Sequence, residues 1–105
     1  MWFKNETYMY ITQLIYLQPG QESVFDEFEA VAIPLISKYR GRLLFRIRPA
    51  EDNVIESSIE TPYEVHFVEF EMEADFTAFM RDESRKQFLH LKEQSIREVL
   101  LVKGE

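Results

Sequence analysis

The segment from Pro19 to Arg48, PGQESVFDEFEAVAIPLISKYRGRLLFRIR, decides the fold of this chain. It contains a turn, an amphipathic helix, a glycine stop and the start of a new strand. A strand precedes this segment, and a second strand-helix-strand unit follows it after one long loop. The order βαββαβ predicts an α+β, ferredoxin-like domain, in which a four-stranded antiparallel sheet carries helices on one face.

The helix in this segment has apolar residues at helical spacing. Pro34 should kink it, because proline removes a backbone donor and crowds the preceding turn. Gly41 should end it, because glycine accepts a left-handed backbone without penalty. Asp26, Glu27 and Glu29 are expected to face water. The apolar stripe consists of Val24, Phe25, Phe28, Val31, Ala32, Leu35, Ile36 and Tyr39.

The first strand is predicted from Tyr10 to Leu17, and both of its faces are largely apolar. A half-solvated antiparallel strand should instead show polar residues on one side. We therefore expect each face of the sheet to be covered. The second strand is predicted from Arg42 to Arg48, directly after the glycine stop.

The pattern is lost between Pro49 and Pro62, where acidic residues predict a loop. This loop could be a flap over a cavity or a mobile connection. A third strand is predicted from Tyr63 to Glu71 and a fourth from Ile96 to Val102. The helical region between them should break at 82–84. Its buried stripe is predicted to consist of Phe76, Phe79, Met80, Phe88, Leu89 and Leu91.

Composition limits the classes of function. The 105 residues, 46% of them hydrophobic, fit one domain spanning 1–105. A net charge of −7 argues against a nucleic-acid partner, because the phosphate backbone would be repelled. The chain contains no cysteine, which suits a cytoplasmic location, and no signal segment or membrane span is predicted. No motif predicts a metal site or a cofactor.

Several stretches resemble the small uncharacterised proteins of the dimeric α/β-barrel superfamily. They are the segment from Pro19 to Arg46, VEF at Val68 to Phe70, FTAFMRDESRKQFLHL, and the closing VLLVKG. The most specific part is a helix with an internal proline, followed by an aromatic residue, a glycine and an arginine-bearing strand. Arg40 departs from the pattern, which often has a second glycine there. The residues that carry this part are Pro34, Tyr39, Gly41, Arg42 and Arg46.

The resemblance implies a homodimer in which two four-stranded sheets pack face to face into a barrel. It also implies that a ligand would bind in the barrel interior. The superfamily includes cofactor-independent and haem-degrading monooxygenases, lactone isomerases and ligand-sensing modules. Fold alone therefore selects no function and assigns no cofactor.

His66 is the candidate catalytic residue, because imidazole can take a proton from an activated carbon acid near neutral pH. The competing interpretation is a hydrogen-bonded core histidine. Strand alternation places His66 and Glu69 on opposite faces, so only one of them can line a given cavity. The sequence does not decide which face meets the helices.

Arg46 and Arg48 are candidate ligand-binding residues, because guanidinium groups suit carboxylates and enolates. They could equally form salt bridges to Glu64 or Glu69 on the neighbouring strand, or face solvent at the edge of the sheet. The alternating charges at 81–86 are interpreted as a solvated helix surface. The other candidate ligand-binding residues on the predicted strands are Gln13, Tyr16 and Glu69.

Three functions therefore stay open from the sequence. The first is a homodimer that binds a small organic molecule in the barrel interior. The second is a cofactor-independent monooxygenase or isomerase, in which His66 is the base and Arg46 stabilises an oxyanion. The third is a structural or interaction dimer without a ligand. A cavity with convergent polar groups would separate the first two from the third.

Overall fold

The structure, a computed structural model, describes residues 8–104 and has the predicted βαββαβ order, with the second helical region in three pieces. Strands β1, β2 and β3 each begin one residue away from their predicted starts. The elements are β1 (Met9–Leu17), α1 (Glu22–Leu35), β2 (Gly41–Ile47), β3 (Glu64–Phe70), α2 (Glu73–Met80), α3 (Glu83–Gln87), α4 (Leu89–Ser95) and β4 (Ile96–Gly104).

The strands form one antiparallel sheet in the order β2-β3-β1-β4. Gln13 of β1 lies opposite His66 of β3, and Arg46 of β2 lies opposite His66 on the other side. Because directly opposite residues of neighbouring strands point to the same side, these three residues share one face of the sheet. This is the face that the helices cover, since Ile11 and Val68 on it pack against helical residues.

Pro34 and Gly41 lie where α1 ends and β2 begins. The helix includes Pro34 and then tightens into a 3-10 turn over Ile36–Tyr39. The left-handed residue is Arg40, with φ of 59°, so the prediction that Gly41 adopts this conformation is wrong by one position. Gly41 is needed for space instead. A Cβ there would lie 2.7 Å from Ile36 Cγ2 and 2.7 Å from Phe70 Cε1.

The hydrophobic core lies between the sheet and the helices. The ring centroid of Phe70 lies 5.6 Å from that of Phe76 and 5.6 Å from that of Phe79. Burial of such large rings dominates the stability of a small domain. The core cluster contains Met9, Ile11, Ile36, Val68, Phe70, Phe76 and Phe79.

Asp82 organises the predicted break in the second helical region. Its carboxylate caps α3 by accepting from the backbone N–H of Arg85 at 3.0 Å. The same carboxylate accepts from Lys38 Nζ at 3.0 Å and from the Tyr39 hydroxyl. These bonds, that of Tyr39 foremost, hold the pKa of Asp82 well below its usual range. Asp82 thus joins the end of α1 to the start of α3 and positions Arg85.

The outer face of the sheet, which we define as the face turned away from the helices, is largely apolar. Its edge strands β2 and β4 are exposed, whereas Tyr10 and Tyr16 of the central strand β1 are buried. Phe45 is 55% exposed and Val102 is 60% exposed on this face. Each face of the sheet was expected to be covered; within residues 8–104 the helices cover one face, and a cover for the exposed part of the outer face stays a prediction. The other apolar residues of this face include Ile47, Val65, Phe67 and Leu100.

The stretch at 49–62 is a loop, as predicted, with one short 3-10 turn at Glu51–Asn53. It is tied to the sheet, because the Tyr16 hydroxyl donates to the Glu60 carbonyl at 2.9 Å and Arg97 Nη2 lies 2.6 Å from Glu60 Oε2. None of the helices within residues 8–104 is long and apolar enough to cross a membrane.

Candidate functional site

A cavity of about 280 Å³ lies between the helix-covered face of the sheet and the helices. Its walls are mostly apolar, because β1 and β3 present alternate hydrophobic residues and α1 presents Phe28 and Ala32 one turn apart. A few polar side chains interrupt this lining, which is the usual composition of a small-molecule site. The polar lining residues are Gln13, Glu29, His66, Arg85 and Lys92.

Glu64 is the centre of a buried network beside the cavity. Its fully buried carboxylate accepts from Arg46 Nε at 2.8 Å, from Arg48 Nε at 2.8 Å and from His66 Nε2. Burial alone would raise the pKa of Glu64, but hydrogen bonds from His66, Arg46 and Arg48 outweigh it and lower the pKa to about 2. Glu64 is therefore a carboxylate at neutral pH.

The ionised Glu64 fixes the tautomer of His66. A carboxylate only accepts hydrogen bonds, so Nε2 of His66 must carry the proton that joins them. In a neutral imidazole this leaves Nδ1 as a proton acceptor. Within residues 8–104, Nδ1 forms no hydrogen bond, and the buried ring lines the cavity. The contact with Glu64 thus orients the imidazole and, in its neutral form, directs Nδ1 to act as the acceptor, as in other histidine–carboxylate pairs.

Glu29 is buried in the cavity wall, so the prediction that it faces water is wrong. It follows Phe25 by four residues and precedes Ala32 by three, which places it on the buried stripe of α1. No hydrogen bond or ion pair to Glu29 occurs within the part of the chain that the structure describes. Burial, the largest effect, raises the pKa of its carboxyl, although the positive side chains nearby oppose the rise.

Arg85 and Lys92 bring positive charge to the same cavity. Arg85 is buried, and burial lowers the pKa of its guanidinium despite the carboxylates of Glu29 and Asp82. Lys92 is half-buried. Burial is the main cause that lowers the pKa of its amine, and the positive charge of Arg85 lowers it further. The prediction that the charges at 81–86 form a solvated surface is wrong for Asp82 and Arg85, which are both buried.

The structure separates the predicted site residues into two groups. His66 and Gln13 line the cavity together. Arg46 and Arg48 do not line it; they bond Glu64, which is one of the alternatives predicted for them. These four residues form or support one site.

The other two predicted residues lie on the outer face. Tyr16 bonds Glu60, and Glu69 lies 3.3 Å from Arg42 Nε. The cavity is therefore on the helix side of the sheet, whereas the interior of a barrel built by face-to-face sheets would be lined by the outer face. The resemblance implied a ligand site on the outer face, in the barrel interior, whereas the cavity lies on the opposite, helix-covered face.

Sequence reasoning missed Glu29, Arg85 and Lys92. The position of Glu29 on the apolar stripe was a usable signal, because Phe25, Phe28 and Ala32 surround it on the helix. Arg85 had no such signal, since its burial depends on the short helices that break at Asp82 and Phe88. Across residues 8–104, no group of three or more His, Asp or Glu side chains is placed to hold a metal ion.

No protein-family model matches the chain, and no curated protein matches it in sequence. Solved structures do match. A protein of unknown function from Rhodopseudomonas palustris aligns with a TM-score of 0.79 and 14% identity, over 95% of this chain and 82% of that one.

Two further structures show the same architecture. A dimeric ferredoxin-like protein of unknown function from Jannaschia has a TM-score of 0.70 and 17% identity, over 93% of this chain and 98% of that one. A candidate antibiotic biosynthesis monooxygenase from Bacteroides thetaiotaomicron has a TM-score of 0.72 and 11% identity, over 95% of this chain and 90% of that one. At such identities the likeness concerns the fold alone. It confirms the ferredoxin-like fold and, at that level, the resemblance predicted from the sequence.

Proposed function

We propose that this protein binds a small, largely apolar organic molecule in the cavity between the sheet and the helices. One observation carries the proposal: an apolar cavity of about 280 Å³ into which His66, Gln13 and Glu29 bring polar groups. Ligand pockets commonly begin at about 300 Å³ and combine apolar walls with few polar groups. A scaffold that only dimerises has no need of buried polar side chains around a cavity.

A screen of small aromatic and aliphatic molecules by ligand-observed NMR tests this proposal. Ala32→Leu places extra carbon atoms in the cavity, because Ala32 lines it and is 5% exposed. Ala74→Leu is the matched control, since Ala74 is exposed on α2. We expect ligands that bind the wild type and the control and that Ala32→Leu weakens. Ligands that bind all three proteins equally would contradict the cavity as the site.

We also propose that two copies pair through the outer face. Its exposed apolar side chains, among them Phe45, Leu100 and Val102, support this proposal, because such a patch is costly in water. The Jannaschia structure with the same fold is that of a dimeric protein. The cytoplasmic location and the exclusion of nucleic acid stay predictions of the sequence, which has no cysteine and a net charge of −7.

Proton abstraction by His66 is the second candidate function, and the Glu64–His66 pair favours it. Nδ1 would take a proton from an acidic carbon of the bound molecule, so that a C–H bond breaks and an N–H bond forms. The resulting imidazolium would be stabilised by the carboxylate of Glu64. Such a step is the first that a cofactor-independent monooxygenase or an isomerase requires, and the fold is shared with a candidate monooxygenase.

Hydrogen–deuterium exchange at the acidic carbons of a panel of aryl ketones tests this second candidate. Protein-catalysed exchange in D2O should be lost in His66→Gln. His90→Gln is the matched control, because His90 is an exposed histidine of α4. Exchange that survives His66→Gln would rule out His66 as the base, and binding without any exchange would leave the protein as a binding module.

A further inference from the structure

Arg85 lies in the wall of the cavity and forms no ion pair with any residue between 8 and 104. Only 6% of its surface is exposed. Its guanidinium carbon lies 5.3 Å from the ring centroid of Phe79 and 5.7 Å from that of Phe28. Nη1 donates to the Met80 carbonyl at 3.3 Å, whereas Nε has no hydrogen-bond partner within residues 8–104. A buried donor without a partner is costly, so a ligand atom is the natural acceptor for it.

The arginines predicted to bind a ligand differ from Arg85 in this respect. Arg46 and Arg48 each donate to Glu64, and Arg48 also donates to Asp26 at 2.6 Å. Their positive charge is therefore compensated within the protein. No carboxylate of the described chain lies within ion-pair distance of Arg85.

Lys92 strengthens the positive character of the cavity. It lines the cavity with Arg85 and forms no ion pair with any described residue. The carboxyl that lines the same space is Glu29, whose pKa burial raises. The ionisable lining groups are thus the two basic side chains of Arg85 and Lys92, the one carboxyl of Glu29, and His66. This excess of positive charge is notable in a chain whose net charge is −7.

We infer that the ligand is an organic anion: an apolar body with a carboxylate or enolate oxygen that lies against Arg85 and Lys92. This inference rests on the proposed binding function and names its ligand class. A planar guanidinium donates well to such oxygens, and the aromatic rings around it hold it in place. An anion would also compensate the two charges that burial disfavours.

Calorimetric titration with 2-naphthoate and its neutral counterpart 2-naphthamide tests this inference. The two probes share the same apolar body and differ in the charge of one group. We expect the wild type to bind 2-naphthoate at least about tenfold more tightly, since hydrogen bonds to charged groups are the stronger ones. Arg85→Met should remove this preference and leave the affinity for 2-naphthamide unchanged. Lys92→Met should reduce the preference.

Lys86→Met is the control, because Lys86 is exposed on the same short helix as Arg85. It should retain the full preference, and circular dichroism should show all variants folded. Equal binding of both probes by the wild type, or an unchanged preference in Arg85→Met and Lys92→Met, would overturn the inference and leave the binding function standing. Binding of neither probe would contradict the inference and count against the binding function as well.

Discussion

The carboxylate of Glu64 accepts a hydrogen bond from Nε2 of His66, two residues along the same strand. Strand alternation puts both side chains on one face, where Arg46 and Arg48 reach Glu64 from the neighbouring strand and its end. Glu64 is therefore fully buried between the sheet and the helices, with these three side chains as its hydrogen-bond donors. The arrangement keeps Glu64 ionised and His66 oriented.

The tautomer of His66 follows from this contact. In protein labelled with ¹⁵N on histidine, long-range ¹H–¹⁵N spectra at about pH 8 should show His66 with the proton on Nε2. Glu64→Gln should weaken this selection, since an amide can donate as well as accept. A proton found on Nδ1 in the wild type would contradict the assignment of Nδ1 as the basic nitrogen.

Acid should destabilise the protein through Glu64. Its folded-state pKa is lowered from 4.5 to about 2, so the stabilisation is present above pH 4.5 and is lost as the pH falls towards 2. The difference corresponds to about 3 kcal/mol of unfolding free energy. Denaturant unfolding between these pH values should show this loss in the wild type and a smaller loss in Glu64→Gln. Equal losses in the two proteins would show that Glu64 is not responsible.

Glu29 should have the opposite effect on stability. Its folded-state pKa is raised, so the wild type loses stability as the pH rises through the range in which this carboxyl ionises. Glu29→Gln removes the ionisation and should be more stable than the wild type, by a margin that grows from acid to neutral pH. Thermal unfolding across that range measures the margin. A margin that does not change with pH would contradict the burial of an ionisable Glu29.

Gly41 should not tolerate a larger side chain. Gly41→Ala places a Cβ 2.7 Å from atoms of Ile36 and Phe70, which are both in the core. Overpacking of this kind should cost about 1–3 kcal/mol of unfolding free energy. Gly104→Ala is the control, because the nearest atoms to its Cβ would be 3.9 Å away. Equal stability of the two variants would show that Gly41 is not held by close packing.

The interface between the two copies of the proposed dimer should lie on the outer face. Phe45→Glu and Val102→Glu place charges on exposed apolar positions of this face and should increase the dissociation constant by about tenfold or more. Sedimentation velocity measures the change. Met72→Glu is the control, because Met72 is 47% exposed at the start of α2. A wild type that is monomeric at high concentration would contradict the proposed pairing.

The fold could be predicted from periodicity because each element of the sheet and α1 has a clear apolar pattern. The two apolar faces of β1 between Tyr10 and Leu17 also indicated that both sides need a cover. The left-handed residue was assigned one position too late, because the close packing that requires Gly41 involves Phe70 of β3, which is distant in sequence. Such contacts leave no local signal.

The site could be predicted only in part. His66, Gln13 and Arg46 were found because a polar residue on an apolar strand is conspicuous. Strand alternation alone does not show which face of the sheet the helices cover. In the structure they cover the face that carries His66. In the sequence Arg85 is one charge among several at 81–86. Its place in the cavity wall depends on the short helix α3, which Asp82 caps.

The most direct test of the central claim is a ¹H–¹⁵N NMR titration of the wild type with 2-naphthoate. If the molecule binds in the cavity, the amide shifts should change at Ala32, His66 and Arg85, which line it. The amides of Phe45 and Leu100, whose side chains lie on the outer face, should change far less. Shift changes confined to the outer face, or none at saturating probe, would contradict the cavity as the binding site.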